Sequence, residues 1–164
     1  MTSNPPAGTV NDPLNEPHLK QRAAYGHWVH EHVRWSDTDM AGHANNLACA
    51  AFAETGRALL LRRFMAPDAN PRALLVLAEF RIKYLSEIYW PAEVDVGTGV
   101  STIGSRSCRM VQGLFIGDRC VSVAESVLVM IDETTRRSAD IPPTVRSLLL
   151  DHAITAAPRA PTTP

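Results

Sequence analysis

The sequence predicts an α+β domain in which a curved antiparallel sheet wraps around one long central helix. One strand-like segment precedes a proline-free stretch rich in Ala and Leu, residues 46–64, and four more strand-like segments follow it. Those four segments succeed one another at hairpin spacing, which favours antiparallel neighbours. Only Glu54 and Arg57 carry charge between Leu47 and Leu61, as expected for a helix that a sheet buries on most sides.

The individual elements follow from local patterns. Residues 27–35 alternate polar and apolar side chains, which predicts the first strand. Turn-forming residues follow, among them Gly42, which is available for an unusual backbone angle. Gly56 lies inside the predicted helix, where glycine costs about 1 kcal/mol relative to alanine, so we expect close packing there. The later strands are predicted at 73–85, 92–103, 106–116 and 119–131, with two-residue turns at 104–105 and 117–118, and a short helix is expected at 144–152.

Composition indicates one folded unit with two flexible ends. Residues 1–24 combine several prolines with small and polar residues, which predicts a flexible N-terminal arm. The domain is expected at residues 25–152, and residues 153–164 are interpreted as a flexible tail. A length of 164 residues fits a single domain with a substantial core.

Charge and cysteine content exclude several classes of partner. The net charge is −1 and no dense run of Lys or Arg occurs, so a nucleic-acid surface is not indicated. No apolar run is long enough to cross a membrane, and no secretory signal is visible. Three cysteines cannot all pair, and none lies in a CxxC motif. We therefore expect a cytoplasmic protein that binds small molecules.

The segment VRWSDTDMAGHANN, residues 33–46, contains the candidate chemistry. Asp37 and Asp39 flank Thr38 just before the predicted helix. A helix N-terminus exposes unpaired N–H groups and a partial positive charge, which can stabilise an oxyanion. A neighbouring carboxylate can act as nucleophile or as general base for water. From spacing alone, turn and cap roles for both aspartates are the more common outcome.

This segment resembles the signature of the 4-hydroxybenzoyl-CoA thioesterase group of hotdog proteins. That signature has a D-x-D pair, a small residue, Gly and then Asn before a helix, matched here by Asp37, Asp39, Ala41, Gly42, Asn45 and Asn46. Glu54 with Arg57, and Tyr84 before Pro91, also match the family. The similarity extends roughly from residue 31 to residue 143. It implies a hotdog fold and hydrolysis of an acyl-CoA thioester.

The resemblance also implies roles for individual residues. Asp39 would be the catalytic carboxylate, and the N–H of Asn46 or of Asn45 would polarise the thioester carbonyl. Glu54, eight residues after Asn46, is a second-rank catalytic candidate that more often forms a structural pair with Arg57. The family is homodimeric with the site at the subunit interface, so we expect a homodimer or a dimer of dimers (a homotetramer).

Four further positions bear on substrate binding. Cys49 replaces a tyrosine that is common in the family, so either the acyl pocket is wider or the position is repacked. His43 could orient Asp39, contact substrate or cap the helix. Arg106 and Arg109 match a turn that can carry contacts to the CoA phosphates. Coenzyme A is expected as part of the substrate, and no separate cofactor is expected.

The sequence gives weaker support to other sites and functions. His27, His30 and His32 lie close together, but a zinc site would need further ligands, so no metal is expected. No serine-hydrolase elbow, P-loop or dinucleotide motif occurs. The alternatives are a hotdog hydratase or dehydratase of acyl thioesters, which Asp39 and His43 loosely imitate, and a non-catalytic acyl-binding protein.

Overall fold

The computed structural model describes residues 12–63 and 73–155, and it confirms the predicted hotdog fold. Its antiparallel sheet has five strands in the order β1-β3-β4-β5-β2, with one long helix packed on one face. The strands are β1 (His27–His32), β2 (Ala73–Tyr84), β3 (Glu93–Ile103), β4 (Ser107–Ile116) and β5 (Arg119–Asp132). The helices are α1 (Asn46–Arg62) and α2 (Pro143–Leu150). Neither helix combines the length and the apolar character needed to span a bilayer, within the residues described.

Helix α1 packs on the sheet through two apolar clusters. Near its N-terminus, Phe52 and Ala53 pack against Val94 and Leu114. Near its C-terminus, Leu60 and its neighbours pack with strands β3 to β5 and with α2. Both clusters are almost free of solvent, because alternate side chains of each strand face the helix.

Gly56 lies between these clusters, at the closest approach of α1 to β3. A Cβ atom at this position would lie 2.7 Å from Val96 Cγ1 and 2.8 Å from Thr98 Oγ1. Both distances are far below van der Waals contact, so a larger residue would push the helix away from the sheet. The predicted close packing at Gly56 is confirmed.

Strand β1 is shorter than predicted. It ends at His32, and a single 3-10 turn (Trp35–Asp37) begins at the last residue of the expected strand. The Asp37 carboxylate accepts a hydrogen bond from the Arg34 backbone N–H at 2.8 Å, which stabilises the turn in place of a strand. The turn between β3 and β4 also has three residues, 104–106, where two were predicted.

The second half of the expected N-terminal arm is folded onto the sheet. Residues 12–24 form three short 3-10 helices, and the first two begin with proline, whose fixed φ angle suits such turns. Leu14 and Leu19 are each 2% exposed and pack with Phe115 on the sheet face opposite α1. Asp12 forms an ion pair with Arg81 of β2. The expectation of flexibility is therefore wrong for this part, and residues 1–11 lie outside the described residues.

The start of the expected C-terminal tail also contacts the fold. The Ile154 N–H donates to the Val100 carbonyl at 2.9 Å, and the Val100 N–H donates to the His152 carbonyl at 2.8 Å. This pairing covers the part of β3 that extends beyond β1. Residues 156–164 lie outside the described residues.

The packing of the arm predicts a measurable contribution to stability. Replacing Leu19 by Ala should lower the free energy of unfolding by about 2–4 kcal/mol, because the truncation leaves a cavity under the arm. Leu150→Ala is the matched control, since Leu150 is exposed and its truncation should change stability by less than about 0.5 kcal/mol. Urea denaturation followed by circular dichroism measures both values. Equal, small effects would show that the arm does not pack as described.

Candidate active site

The loop between β1 and α1 closes into a compact turn that places Asp39 beside His43. The Asp39 N–H donates to the His43 carbonyl at 3.1 Å, and the Gly42 N–H donates to the Asp39 carbonyl at 3.0 Å. Gly42 adopts a φ of 80°, in the left-handed region that glycine favours, so the unusual backbone angle expected there is present. The Ala44 N–H donates to the Ile88 carbonyl at 2.7 Å and ties the turn to the segment after β2.

Asp39 is held by both of its carboxylate oxygens. Oδ1 accepts a hydrogen bond from the Ala41 N–H at 2.7 Å, and Oδ2 lies 3.5 Å from His43 Nδ1. Its side chain remains 41% exposed, so the carboxylate stays accessible. Asp37 differs, because its carboxylate caps the 3-10 turn of which it is the last residue, and its carbonyl accepts the Asn45 N–H at 2.8 Å. The two aspartates of the D-x-D pair therefore have different surroundings, with Asp37 in a structural role.

The N-terminus of α1 presents backbone donors next to this turn. The Asn45 side chain caps the helix by accepting from the Ala48 N–H at 2.9 Å. The first intrahelical bond runs from the Cys49 N–H to the Asn45 carbonyl at 3.2 Å, so the N–H groups of Asn46 and Leu47 have no intrahelical acceptor. Because the Asn45 N–H already donates to Asp37, Asn46 is the better placed of the two donors proposed from the sequence.

A cleft of about 450 Å³ opens at this helix end. His43, Asn46 and Cys49 form one side of it, and the segment from Tyr84 to Ile88 forms the other. The Tyr84 hydroxyl donates to the Asn46 carbonyl at 3.4 Å, which links the two walls. Asp39 is not among the lining residues and adjoins the cleft through His43.

The cleft wall contains two groups whose pKa is shifted by burial. Burial raises the pKa of the Cys49 thiol, which keeps it protonated near neutral pH and makes it a weak nucleophile. Burial also raises the pKa of the Tyr84 phenol. Both groups therefore present neutral surfaces to a bound molecule.

Glu54 lies away from the cleft and pairs with Arg57. Its side chain is 60% exposed and forms an ion pair with Arg57, whose own side chain is 3% exposed. Arg57 Nη1 donates to Ser126 Oγ of β5 at 2.8 Å, and burial lowers the pKa of the guanidinium. The structural pair that the sequence suggested for Glu54 and Arg57 is present.

The structure does not bring Arg106 or Arg109 to the helix N-terminus. Arg106 follows β3 and donates through Nε to Asp140 at 2.8 Å. The neighbouring Cys108 packs in the cluster under the C-terminal half of α1, at the other end of the helix. Arg109 donates to Glu125 at 2.9 Å. Within one chain, both arginines are already paired with carboxylates and distant from the cleft.

The sequence interpretation missed the second wall of the cleft and an exposed apolar surface around it. Residues 84–88 enter the site only because β2 ends beside the first turn of α1, which is a long-range contact. The available signal was the aromatic run in the sequence YLSEIYWP. Large apolar side chains around the turn and helix start are exposed, namely Trp35, Met40, Leu47, Tyr89 and Trp90.

Comparisons with known proteins identify similar chains. The family described as "Thioesterase-like superfamily" matches residues 33–149. The PA5185 protein from Pseudomonas aeruginosa is 24% identical, with a TM-score of 0.75, and the match covers 84% of this chain and 98% of that one. A thioesterase from Thermus thermophilus, solved in complex with coenzyme A and Zn, is 26% identical, with a TM-score of 0.67 and coverage of 78% and 94%. The uncharacterized protein YsmA from Bacillus subtilis is 24% identical over 97 residues, which span 59% of this chain and 66% of that protein.

The buried thiol in the cleft wall gives a direct chemical test of this geometry. We expect Cys49 to react with iodoacetamide much more slowly than a free cysteine at pH 7, because alkylation requires the thiolate and burial raises the thiol pKa. The rate should rise with pH towards a midpoint above that of free cysteine. Peptide mass spectrometry after timed labelling measures it, with the urea-unfolded chain as control. Labelling of Cys49 at the same rate in folded and unfolded chains would contradict the described cleft wall.

Proposed function

Because the chain belongs to the thioesterase-like superfamily, we propose that it hydrolyses an acyl-CoA thioester to a free carboxylic acid and CoA. The observation that carries this proposal is the accessible Asp39 carboxylate, held beside His43 and the N-terminus of α1 at the mouth of a cleft. A small-molecule acyl-CoA is the proposed substrate, and its coenzyme A is part of that substrate. A binding role for CoA is in keeping with the Thermus thermophilus thioesterase, which was solved with coenzyme A bound.

In the proposed reaction the thioester carbonyl oxygen accepts a hydrogen bond from the Asn46 N–H. The helix N-terminus then stabilises the negative charge that develops on this oxygen when the carbonyl carbon is attacked. Asp39 either attacks the carbon itself, forming a mixed anhydride that water then hydrolyses, or removes a proton from the attacking water. The C–S bond breaks, CoA leaves as the thiol after taking up a proton, and water supplies the hydroxyl group of the acid.

His43 is proposed to position Asp39. Its ring Nδ1 faces Asp39 Oδ2, and its ring also stacks edge-on against Tyr89 with centroids 5.8 Å apart. These two contacts restrict the imidazole, so that it can hold one carboxylate oxygen while the Ala41 N–H holds the other. Gly42 permits the turn on which both side chains depend.

A homodimer, alone or within a homotetramer, is proposed to complete the site. The exposed apolar surface around the turn and helix start supports a second subunit there, because contiguous exposed apolar surface commonly marks an interface. Contacts from Arg106 or Arg109 to the CoA phosphates would also require a second subunit, since neither arginine lies near the cleft of its own chain. Contacts from Arg106 and Arg109 to the CoA phosphates are therefore proposed across the subunit interface.

A thiol-release assay with a panel of aromatic and aliphatic acyl-CoAs tests the proposed activity. A hydrolase releases free CoA thiol, which a chromogenic disulfide reagent detects. A hydratase or dehydratase, which the Asp39–His43 contact also permits, would interconvert enoyl and 3-hydroxyacyl thioesters without releasing thiol. An acyl-binding protein would do neither. Absence of thiol release with every acyl-CoA and every acyl-carrier-protein thioester would contradict the proposal.

Replacing Asp39 by Asn should lower kcat by ~10³-fold or more, because the substitution removes the nucleophile or base. Glu54→Gln is the matched control. Since Glu54 faces away from the cleft, this variant should keep kcat within about fivefold of the wild-type value, the range expected without loss of a catalytic group. Steady-state thiol release, with circular dichroism to verify folding, measures both variants. A folded Asp39→Asn enzyme with near wild-type kcat would contradict the role of Asp39, and a large loss of kcat in Glu54→Gln alone would move that role to Glu54.

Replacing Cys49 by Tyr should shift substrate preference towards smaller acyl groups. Cys49 lines the cleft, and the longer side chain would fill part of its volume. The measurement is kcat/KM across a series of increasing acyl length, with Cys49→Ser as a size-matched control that should leave the profile in place. A chain-length profile unchanged by the tyrosine would show that the acyl group lies elsewhere.

A further inference from the structure

Two histidines and a glutamate converge on the sheet face opposite α1. His30 and His32 project from the same face of β1, because side chains two residues apart in a strand point the same way. Glu93, at the start of β3, pairs in register with His32. One potential ligand atom from each of the three residues lies within 4.8 Å of the others, and all three residues are exposed.

The distances within this cluster match the spacing of ligands around a small divalent metal. Glu93 Oε2 lies 3.4 Å from His30 Nε2, and Glu93 Oε1 lies 3.6 Å from His32 Nδ1. Zinc–nitrogen and zinc–oxygen bonds near 2.0–2.1 Å place tetrahedral ligands about 3.3 Å apart. Small side-chain rotations would therefore bring the three ligand atoms into a common coordination sphere.

The surroundings of His30 also favour metal binding. His30 Nδ1 lies 2.8 Å from Asp95 Oδ1, and Arg22 Nη1 donates to Asp95 Oδ2 at 2.9 Å. A histidine that donates one ring N–H to a carboxylate directs the lone pair of its other nitrogen outward, which is the usual arrangement of a metal-bound histidine. Here the other nitrogen, Nε2, faces Glu93.

Space for additional ligands is present next to the cluster. A recess of about 630 Å³ is lined by His32 and Glu93 together with Pro91 and Gly117. A metal held by two imidazoles and one carboxylate has three protein ligands, and the recess leaves room for water at the fourth position.

We propose that His30, His32 and Glu93 form a binding site for one divalent metal ion of the zinc type. Asp95 positions His30 without contacting the metal. The site lies on the sheet face opposite α1, so it is separate from the cleft at the helix N-terminus. The sequence showed only the two histidines, because Glu93 joins them through the pairing of β1 with β3.

Isothermal titration calorimetry of the full chain with zinc chloride, after treatment with a chelator, tests the proposal. The wild type should bind one zinc ion per chain at this site. His30→Gln, His32→Gln and Glu93→Gln should each weaken binding at least tenfold, and Asp95→Asn by about 10- to 100-fold. His18→Gln is the matched control, since His18 lies outside the cluster, and it should bind zinc as the wild type does.

Two further measurements distinguish loss of the metal site from unfolding of a variant. In NMR spectra, zinc should change the chemical shifts of the His30 and His32 imidazole resonances in the wild type. The chemical shift of the His18 imidazole should stay unchanged. Zinc should also raise the Tm of the wild type but not of the His30→Gln/His32→Gln double variant, because a metal that binds only the folded state stabilises it. Absence of saturable binding would overturn the proposal. Wild-type affinity in the folded double variant would also overturn it, by assigning zinc to other residues.

Discussion

The contact of Gly56 with β3 fixes the position of α1, and the geometry of the candidate site depends on that position. With no side chain between helix and sheet at this point, the helix backbone approaches Val96 and Thr98 directly. The next residue, Arg57, reaches Ser126 on β5, so the rotation of the helix is fixed as well as its distance from the sheet. The N-terminus of α1 then emerges beside the end of β2, where the cleft forms.

The site itself depends on hydrogen bonds that join the turn after β1 to the helix start. The Asn45 N–H donates to the Asp37 carbonyl and its side chain caps the helix, whereas the next N–H, that of Asn46, lies in the first turn and has no intrahelical acceptor. The same turn holds Asp39 next to His43. The turn thereby places a carboxylate and a partly positive helix end next to the same cleft, and such preorganisation would make electrostatic stabilisation effective in the proposed hydrolysis.

The sequence predicted those features that depend on local patterns. Alternation and hairpin spacing located the strands, and Gly56 indicated the close helix contact before the structure showed it. The choice of Asn46 over Asn45 required knowledge of a hydrogen-bond partner, the Asp37 carbonyl, which spacing does not reveal. The folded arm was missed because proline-rich composition resembles that of disordered chains, whereas Leu14 and Leu19 bury against a sheet face that only the tertiary structure creates.

The most direct test of the account is a crystal structure of the Asp39→Asn protein with a bound acyl-CoA, whose thioester should survive when the proposed catalytic carboxylate is absent. The account predicts that the carbonyl oxygen accepts a hydrogen bond from the Asn46 N–H, with the residue 39 side chain next to the carbonyl carbon and the acyl group in the cleft beside Cys49. A thioester bound away from the N-terminus of α1, with another carboxylate at its carbonyl carbon, would contradict it.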